Sequence, residues 1–596
     1  MQRISQAQLA NEVRKLYHKM VNETPPLQGT YPSSYHRYSA YNLMAYLAYK
    51  KHANPDFLRA LRSMGLCLSS IEHVMPSLHM ICSHVGLMPK ANLIENPHAL
   101  SRKRREDIFG TKQQHESPHI MLTLDARMIS SDVIEQLLLN GMTIARINCA
   151  YDDESTWEQM IDSIRDAEER LRNQGLYGNR RCKIYMDLAG PKIRISILKK
   201  TAAPLKISVK RKLFEPSIEP KKGLLCTNAQ TSRLLSNDAH DFVISIPPHE
   251  RLGHLTEGDK LSFIDCCNLK REFTITKILP SGFEVILERT AYLDEGTILQ
   301  NVMHKISLPV ANMEKKAVPV QVQKSDRIKL LLNEGMAPGQ YREAYDQTSV
   351  IAVNLPEAFA HVKQGHSVFI DDGKIQGVVI ECQKNHVEIE ITSPETLIAI
   401  RENKGINLPD TPVGRNIPCL TPKDENDLKF ITKRADLVGI SFVHNPQDLQ
   451  RLKQLLHVYG HTDIPVIAKI ETKDAINHFS SILLEGLTFP HFGVMVARGD
   501  LAINAGFTQM SIIQEEILSM CRAAHTPVIL ATQVLDTLAK KGVPSRSELA
   551  DLSLGSEFDC VMLNKGPFIK EAVRFLQETL LLIAQVKNSN QSITRF

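Results

Sequence analysis

A chain of 596 residues, 43% hydrophobic and 23% charged, has room for about three or four domains of roughly 150 residues, or fewer if one is a large barrel. The formal charge of +5 is small for this length and gathers into no basic stripe, which argues against nucleic acid as a partner. No apolar run reaches the about 18 residues of a membrane helix, and no signal-peptide core opens the chain, so a membrane association is not expected. The 11 cysteines contain no CxxC pair and fit the reduced thiols of a cytoplasmic protein. Neighbouring Cys266 and Cys267 are expected on opposite faces of a strand.

Residues 1–95 predict an N-terminal helical domain, with apolar residues at helical spacing over 6–16, 41–49, 57–61 and 74–85. Its histidines, at 36, 52, 73, 79 and 84, lack companion acids or cysteines and are expected as surface or core residues. Residues 96–118 are polar and basic and are expected as a linker, with the run Arg102 to Arg105 solvated. From 119 the rhythm becomes strand–helix. Strands are expected at 120–124, 143–147, 183–186, 437–440, 466–470, 493–496, 527–530 and 560–563. Helices are expected at 132–139, 155–174, 446–457, 472–484, 509–523, 546–553 and 568–586. That count is an α/β fold of the (β/α)8 TIM-barrel type, in two parts, 119–195 and 406–588, with a tail at 589–596.

Between the two parts, 196–405 alternates with period two over many short runs and predicts an enlarged all-β insert. The stretch 258–265 (GDKLSFID) is echoed by 365–371 (GHSVFID), which suggests a doubled module.

Catalytic groups of such a barrel sit at the C-terminal ends of its strands. These ends carry Arg146 and Asn148, then Asp187, Lys192 and Arg194, then Ser441 and Phe442. Lys469 and Glu471 follow, then Arg498, Gly499 and Asp500, and last Thr532. Three acids, several bases and a hydroxyl thus converge on one face, and two of the acids are candidate metal ligands.

Seven motifs in this order carry a family resemblance: ARIN (145–148), DLAGPKIR (187–194), KGINLP (404–409), SF (441–442), AKIE (468–471), MVARGDL (495–501) and ATQVL (531–535). Together they resemble pyruvate kinase, over about 119–195 and 366–586. The N-terminal helices and the first half of the insert lie outside the family pattern and look like a longer bacterial and plant subgroup.

The resemblance implies phosphoryl transfer from phosphoenolpyruvate to ADP, giving pyruvate and ATP. It implies Mg2+, with Mn2+ as an alternative, held by Glu471 and Asp500; Mg2+ suits one or two carboxylates plus substrate oxygens. It makes Lys469 the neutraliser of the phosphoryl group, Arg146 and Arg194 its grips, and Thr532 the residue that positions a proton donor through water. Thr123, Asn148, Asp187, Lys192, Ser441, Phe442, Arg498 and Gly499 fall at substrate or nucleotide positions. The insert corresponds to the family lid, in which Asp372 belongs to an Asp-Asp-Gly motif and Lys404 reaches the nucleotide phosphates. A homo-oligomer is compatible with the family.

Several positions depart from the family. Ala150 and Tyr151 replace a Ser-His pair, Leu188 a threonine, and Lys192 a glutamate beside the K+ site. The Lys192 ammonium is expected where K+ would sit, so K+ is not expected to be required. Thr123-Leu-Asp-Ala126 and Asn564-Lys565-Gly566 also differ from the family. The family's C-terminal allosteric domain is not expected. Two rival readings use the same residues: a lyase or aldolase acting on pyruvate enolate, and an inactive kinase-like interaction protein.

Overall fold

The computed structural model describes residues 6–23, 30–63, 71–84, 86, 97–112, 117–128, 131–197, 200–202, 205–209, 220–227, 240–280, 282–311, 315–317, 319–332, 349–415 and 417–589. Helices α1 (Gln6–Glu23), α2 (Ser34–His52), α3 (Pro55–Ser63) and α4 (Val74–His84) pack together at the N-terminus. Val13, Met20, Leu43, Leu61 and Leu78 form the buried seam between them.

The expected linker is a helix. α5 (Pro97–Phe109) carries Leu100, Arg104 and Ile108 four residues apart, and all three are buried. Arg104 therefore does not stay in water with its basic neighbours. Its guanidinium donates to the carbonyls of Ala524 and Tyr35 at 3.1 and 3.3 Å. Ile108 and Phe109 join one buried apolar cluster with the barrel residues Met121, Ile144, Tyr185, Leu437, Ile467 and Met562. The helix thus plugs the N-terminal end of the barrel. Burying two such side chains contributes about 2–3 kcal/mol each. A charge run is a poor guide here because one basic residue of the four turned inward.

The barrel opens with β1 (His119–Thr123), α6 (Ser131–Leu139), β2 (Ile144–Asn148), α7 (Glu154–Asn173) and β3 (Lys183–Asp187). The chain then leaves for the insert. β4 (Ile195–Ile197), β5 (Lys200–Ala202), β6 (Leu205–Ile207), β7 (Lys221–Cys226), β8 (Phe242–Ser245), β9 (Lys260–Ile264), β10 (Lys270–Leu279) and β11 (Gly282–Leu287) come first. β12 (Ala291–Leu293), β13 (Ile298–Asn301), β14 (Ile306–Pro309), β15 (Lys315–Ala317), β16 (Val320–Val322) and β17 (Arg327–Leu331) follow. β18 (Ser349–Val353), β19 (Ser367–Ile370), β20 (Ile375–Cys382), β21 (His386–Ser393), β22 (Ile398–Ile400) and β23 (Ile406–Asn407) complete it.

Fourteen of these strands form two seven-stranded sheets, β14-β13-β9-β10-β11-β7-β8 and β23-β19-β20-β21-β17-β18-β4, each over its own apolar core, and the other six pair as β12-β6, β15-β5 and β16-β22. One strand plan runs through both large sheets. A parallel pair (β7 with β8, β17 with β18) is followed by a three-strand meander whose last strand returns antiparallel to the first of the pair. The echoed segments occupy equivalent places. Gly258 and Gly365 have φ of 94° and 89°, a conformation open to glycine. Their N–H groups donate to the carbonyls of Ile275 and Val379, both at 2.8 Å and both at a bulge. Cys266 and Cys267 are not strand neighbours: they occupy the turn between β9 and β10, and both are exposed.

The barrel resumes with α8 (Pro422–Arg434), β24 (Leu437–Ile440), α9 (Pro446–Val458), β25 (Val466–Ile470), α10 (Lys473–Asn477) and α11 (Phe479–Gly486). β26 (Phe492–Ala497), α12 (Arg498–Ala505), α13 (Met510–Ala523), β27 (Val528–Ala531), α14 (Asp536–Lys541), α15 (Arg546–Gly555), β28 (Cys560–Leu563) and α16 (Ile569–Ser589) close it. The eight strands pair in parallel as β1-β2-β3-β24-β25-β26-β27-β28 and form a closed barrel. Nearly all their residues are buried, as expected for parallel strands covered on both faces. α8, α9 and α15 start on reciprocal capping boxes, Thr421 with Asp424, Asn445 with Asp448 and Ser545 with Glu548. α8, α12 and α14 were not expected from periodicity. α12 and α14 have only eight and six residues, and two of the buried residues of α8 are aspartates. No helix among the described residues is long and apolar enough to cross a membrane.

Candidate active site

The C-terminal ends of the barrel strands surround a cavity of about 300 Å3, and the second sheet of the insert contributes residues 371, 372 and 403–405 to its wall. The insert joins the barrel by a short ladder. Arg194 bridges to Gly405, and the Ile195 and Ile406 N–H groups bond the carbonyls of Lys404 and Ile193 at 2.9 and 2.8 Å.

Under the cavity lies a charged network. Asp187 has no exposed surface. Its Oδ2 accepts Arg146 Nε at 2.9 Å and Nη2 at 2.5 Å, and Lys469 Nζ stands 3.2 Å away. Tyr185 donates to Oδ1 at 3.3 Å; Gly439 on the neighbouring strand leaves room for that hydroxyl. Burial alone would push the Asp187 carboxyl up, but Lys469 and Arg146 outweigh it and hold it below the usual range. Lys469 is itself boxed in, 2.8 Å from Ser441 Oγ and 3.2 Å from Glu471 Oε1. Burial works against its charge; Asp187 and Glu471 more than restore it.

Glu471 and Asp500 face the same cavity. Glu471 Oε2 accepts the Phe442 N–H at 2.8 Å, and Asn504 anchors the Glu471 carbonyl at 2.7 Å. Burial pushes the Glu471 carboxyl up against the pull of Lys469, and the charge of Asp500 adds to the rise. Asp500 is also pushed by burial, yet Lys192 and Asn407 hold it below the usual range. Lys192 Nζ lies 2.9 and 3.0 Å from its two oxygens, and Asn407 Nδ2 donates to it at 3.3 Å.

Two carboxylates close enough to sense each other, in a hard-oxygen pocket, fit a small divalent cation such as Mg2+. Among the described residues no cluster of three acids, histidines or cysteines could hold a metal unaided, so substrate and water would have to complete the shell.

Thr532 lines the cavity with φ of 65°, strained for a β-branched residue. Its backbone is held from behind. Arg498 donates to the Thr532 carbonyl at 3.3 and 2.9 Å and to Asp551 at 3.1 Å, and the Gly499 N–H donates to Thr532 Oγ1 at 2.9 Å. Arg498 and Gly499, expected as substrate contacts, thus hold Thr532 in place and are absent from the cavity wall. Thr123 is likewise set back, accepting Arg146 Nη1 at 2.9 Å, and Asp187 lies beneath the floor. The other expected residues do line the cavity: Arg146, Asn148, Lys192, Arg194, Asp372, Lys404, Ser441, Phe442, Lys469, Glu471, Asp500 and Thr532.

The structure brings three further residues to that set, Asp371 in the cavity wall and Asn407 and Lys565 against residues that line it. Asn407 touches Asp500, and its place in the 404–409 motif was the available signal. Asp371 accepts Lys404 Nζ at 2.8 Å and Lys374 at 3.0 Å. Lys565 pairs with Asp125 at 2.6 Å beside the Tyr151 ring. Asp125, Tyr151 and Lys565, in the loops after β1, β2 and β28, therefore meet at one edge of the mouth.

A closed parallel barrel with a β insert folded over a mouth of paired acids and bases defines a lid-bearing (β/α)8 protein. More narrowly, residues 304–572 match the profile "Pyruvate kinase, barrel domain". The first three barrel strands precede that span and complete the barrel with it. A pyruvate kinase of Clostridium perfringens is 31% identical over 216 residues, 36% of this chain and 44% of that protein. One of Kluyveromyces lactis is 34% identical over 254 residues, 41% of this chain and 48% of that protein. One of Clostridium acetobutylicum is 27% identical over 311 residues, 50% of this chain and 62% of that protein. The chain thus spans 44% to 62% of the length of these curated relatives.

Proposed function

We propose that the chain is a phosphotransferase that moves the phosphoryl group of phosphoenolpyruvate to ADP with the help of Mg2+ and without a need for K+. The observation that carries this reading is the arrangement of Lys469 between Asp187 and Glu471, at 3.2 Å from each, in a cavity that also holds Arg146 and Asp500.

Phosphoryl transfer asks a protein for positioning and charge. Arg146 and Arg194 offer planar donors to phosphate oxygens. Lys404, on the lid side, faces the same space and suits the nucleotide phosphates. Lys469, fixed by its carboxylate partners, supplies positive charge where the phosphoryl group passes. Thr532, held by Arg498 and Gly499, keeps its hydroxyl at the wall, where it would orient a water toward the enolate carbon. The insert would exclude bulk water. Glu471 and Asp500 would hold Mg2+, which when bound supplies charge stabilisation for the carboxylate and enolate oxygens of pyruvate. Lys192 brings a positive charge of the chain's own into the cavity beside Asp500, which supports activity without K+.

A lactate dehydrogenase-coupled assay with phosphoenolpyruvate, ADP and Mg2+ tests the reading. Pyruvate formation strictly dependent on ADP is expected, at a rate insensitive to replacing Na+ by K+. Pyruvate release without ADP would point to a lyase instead, and strong K+ activation would remove the role given to Lys192.

A further inference from the structure

The geometry of Lys192 points to a role in how the site takes up its metal. Its ammonium is nearly equidistant from the two oxygens of Asp500, at 2.9 and 3.0 Å. It therefore stands in front of the carboxylate, the direction from which a cation approaches both oxygens. We infer that Lys192 is an internal cation that competes with the divalent metal for Asp500, so that the metal gains this carboxylate only as the ammonium leaves it. The inference rests on the proposed assignment of Glu471 and Asp500 as the metal ligands.

Three features support an exchange rather than a permanent pair. Lys192 differs from Lys469, which is buried and bonded to Ser441 as well as to two acids; the side chain of Lys192 is 20% exposed, and its described hydrogen bonds go to Asp500. Its stem also runs past bare backbone, because a Cβ on Gly405 would lie 2.9 Å from Lys192 Cε. Finally, Lys192 borders two spaces. One is the cavity described above; the other is an adjoining one of about 330 Å3 walled by Leu408, Phe442 and His444. The ammonium can thus withdraw without repacking a core. Close approach of a divalent ion to an ammonium is repulsive at any plausible dielectric, so the two do not share Asp500 at full strength. With a phosphate-bearing anion in the cavity, the released ammonium gains a new partner. Metal and phosphoanion then bind cooperatively through one side chain.

Mn2+ is the probe, with free ion counted by electron paramagnetic resonance on the full chain without nucleotide. Lys192→Met is expected to bind Mn2+ about tenfold more tightly than the unaltered chain, the equivalent of about 1.4 kcal/mol. Lys192→Arg, which keeps the charge, is expected to stay near the unaltered affinity. A second readout needs no variant: acetylation of Lys192, followed by peptide mass spectrometry, should rise severalfold when Mn2+ saturates the site. Equal or weaker Mn2+ binding by Lys192→Met, or an unchanged acetylation rate, overturns the inference. Asp500→Asn should lose Mn2+ affinity; if it does not, the ligand assignment falls and the inference with it. If Lys192→Met tightens Mn2+ while the unaltered chain makes no pyruvate from phosphoenolpyruvate, the inference stands and the proposed reaction falls.

Discussion

Arg146 and Asp187 meet in a buried two-point contact, with Nε and Nη2 of the arginine 2.9 and 2.5 Å from one carboxylate oxygen. The aspartate is the shared counter-charge of Arg146 and Lys469, and its removal would leave two cations buried over one empty position. Asp187→Asn is expected to cost about 3–5 kcal/mol of folding stability, the usual penalty for breaking a buried pair from one side. Denaturant unfolding measures that loss. Phosphoryl transfer by the same variant should fall at least about a hundredfold, because both cations lose their orientation.

The lid lysine makes a second test. Lys404 is held at 2.8 Å by Asp371, at the tip of the β19–β20 turn. Lys404→Ala should raise KM for ADP about tenfold, the value of one charge-assisted contact, with a smaller change for phosphoenolpyruvate. Asp371→Asn keeps the lysine but loosens it, and a shift of about threefold in the same direction is expected from steady-state kinetics. An effect confined to phosphoenolpyruvate would place Lys404 on the wrong substrate.

At the opposite end of the barrel the expected outcome is stability without catalysis. Arg104→Met deprives the carbonyls of Ala524 and Tyr35 of a buried donor. A loss of about 2–3 kcal/mol is expected by chemical unfolding. Both kcat and KM should be retained, since α5 touches the floor of the barrel and the reacting groups lie at its mouth.

His119, at the start of β1, gives a pH test. It is buried, and burial, helped by Lys112 and Arg105, brings its pKa down to about 3. An unfolded histidine takes up its proton near about 6.5. Between those two values the unfolded chain binds more protons, so stability is full above about 6.5 and is lost as the pH falls toward 3. The share due to His119 is about 2 kcal/mol at pH 5. His119→Gln should therefore lose less stability than the unaltered chain between pH 7 and pH 5, measured by urea midpoints at each pH.

Much of the barrel was legible in the sequence because its strands are short apolar runs set at strand–helix intervals, and all eight fall within a residue or so of the expected positions. The cavity lining was legible for a related reason: residues at strand ends have one place to go in a closed barrel. What stayed hidden depended on three-dimensional neighbours. Arg498 and Gly499 stand beside Asp500 in sequence, yet the turn into α12 aims them at the back of Thr532. Asp187 ends its strand like its fellows but lies one layer lower, where only counter-charges fit. The helix at 97–109 was hidden by its charges, since nothing local reveals that Arg104 faces backbone carbonyls of two distant segments, at Tyr35 and at Ala524.

The repeated sheet in the insert has a mechanical consequence. A ladder between residues 193–195 and 404–406 joins the insert to the barrel, and of its two seven-stranded sheets the second meets the mouth. An insert of two sheets must push aside more solvent with each swing than a single sheet would, so drag weighs more heavily on its motion. Turnover paced by such swings should track the viscosity of the medium, slowing in sucrose or glycerol in proportion to bulk friction, while a variant whose chemistry has been made slow should ignore it.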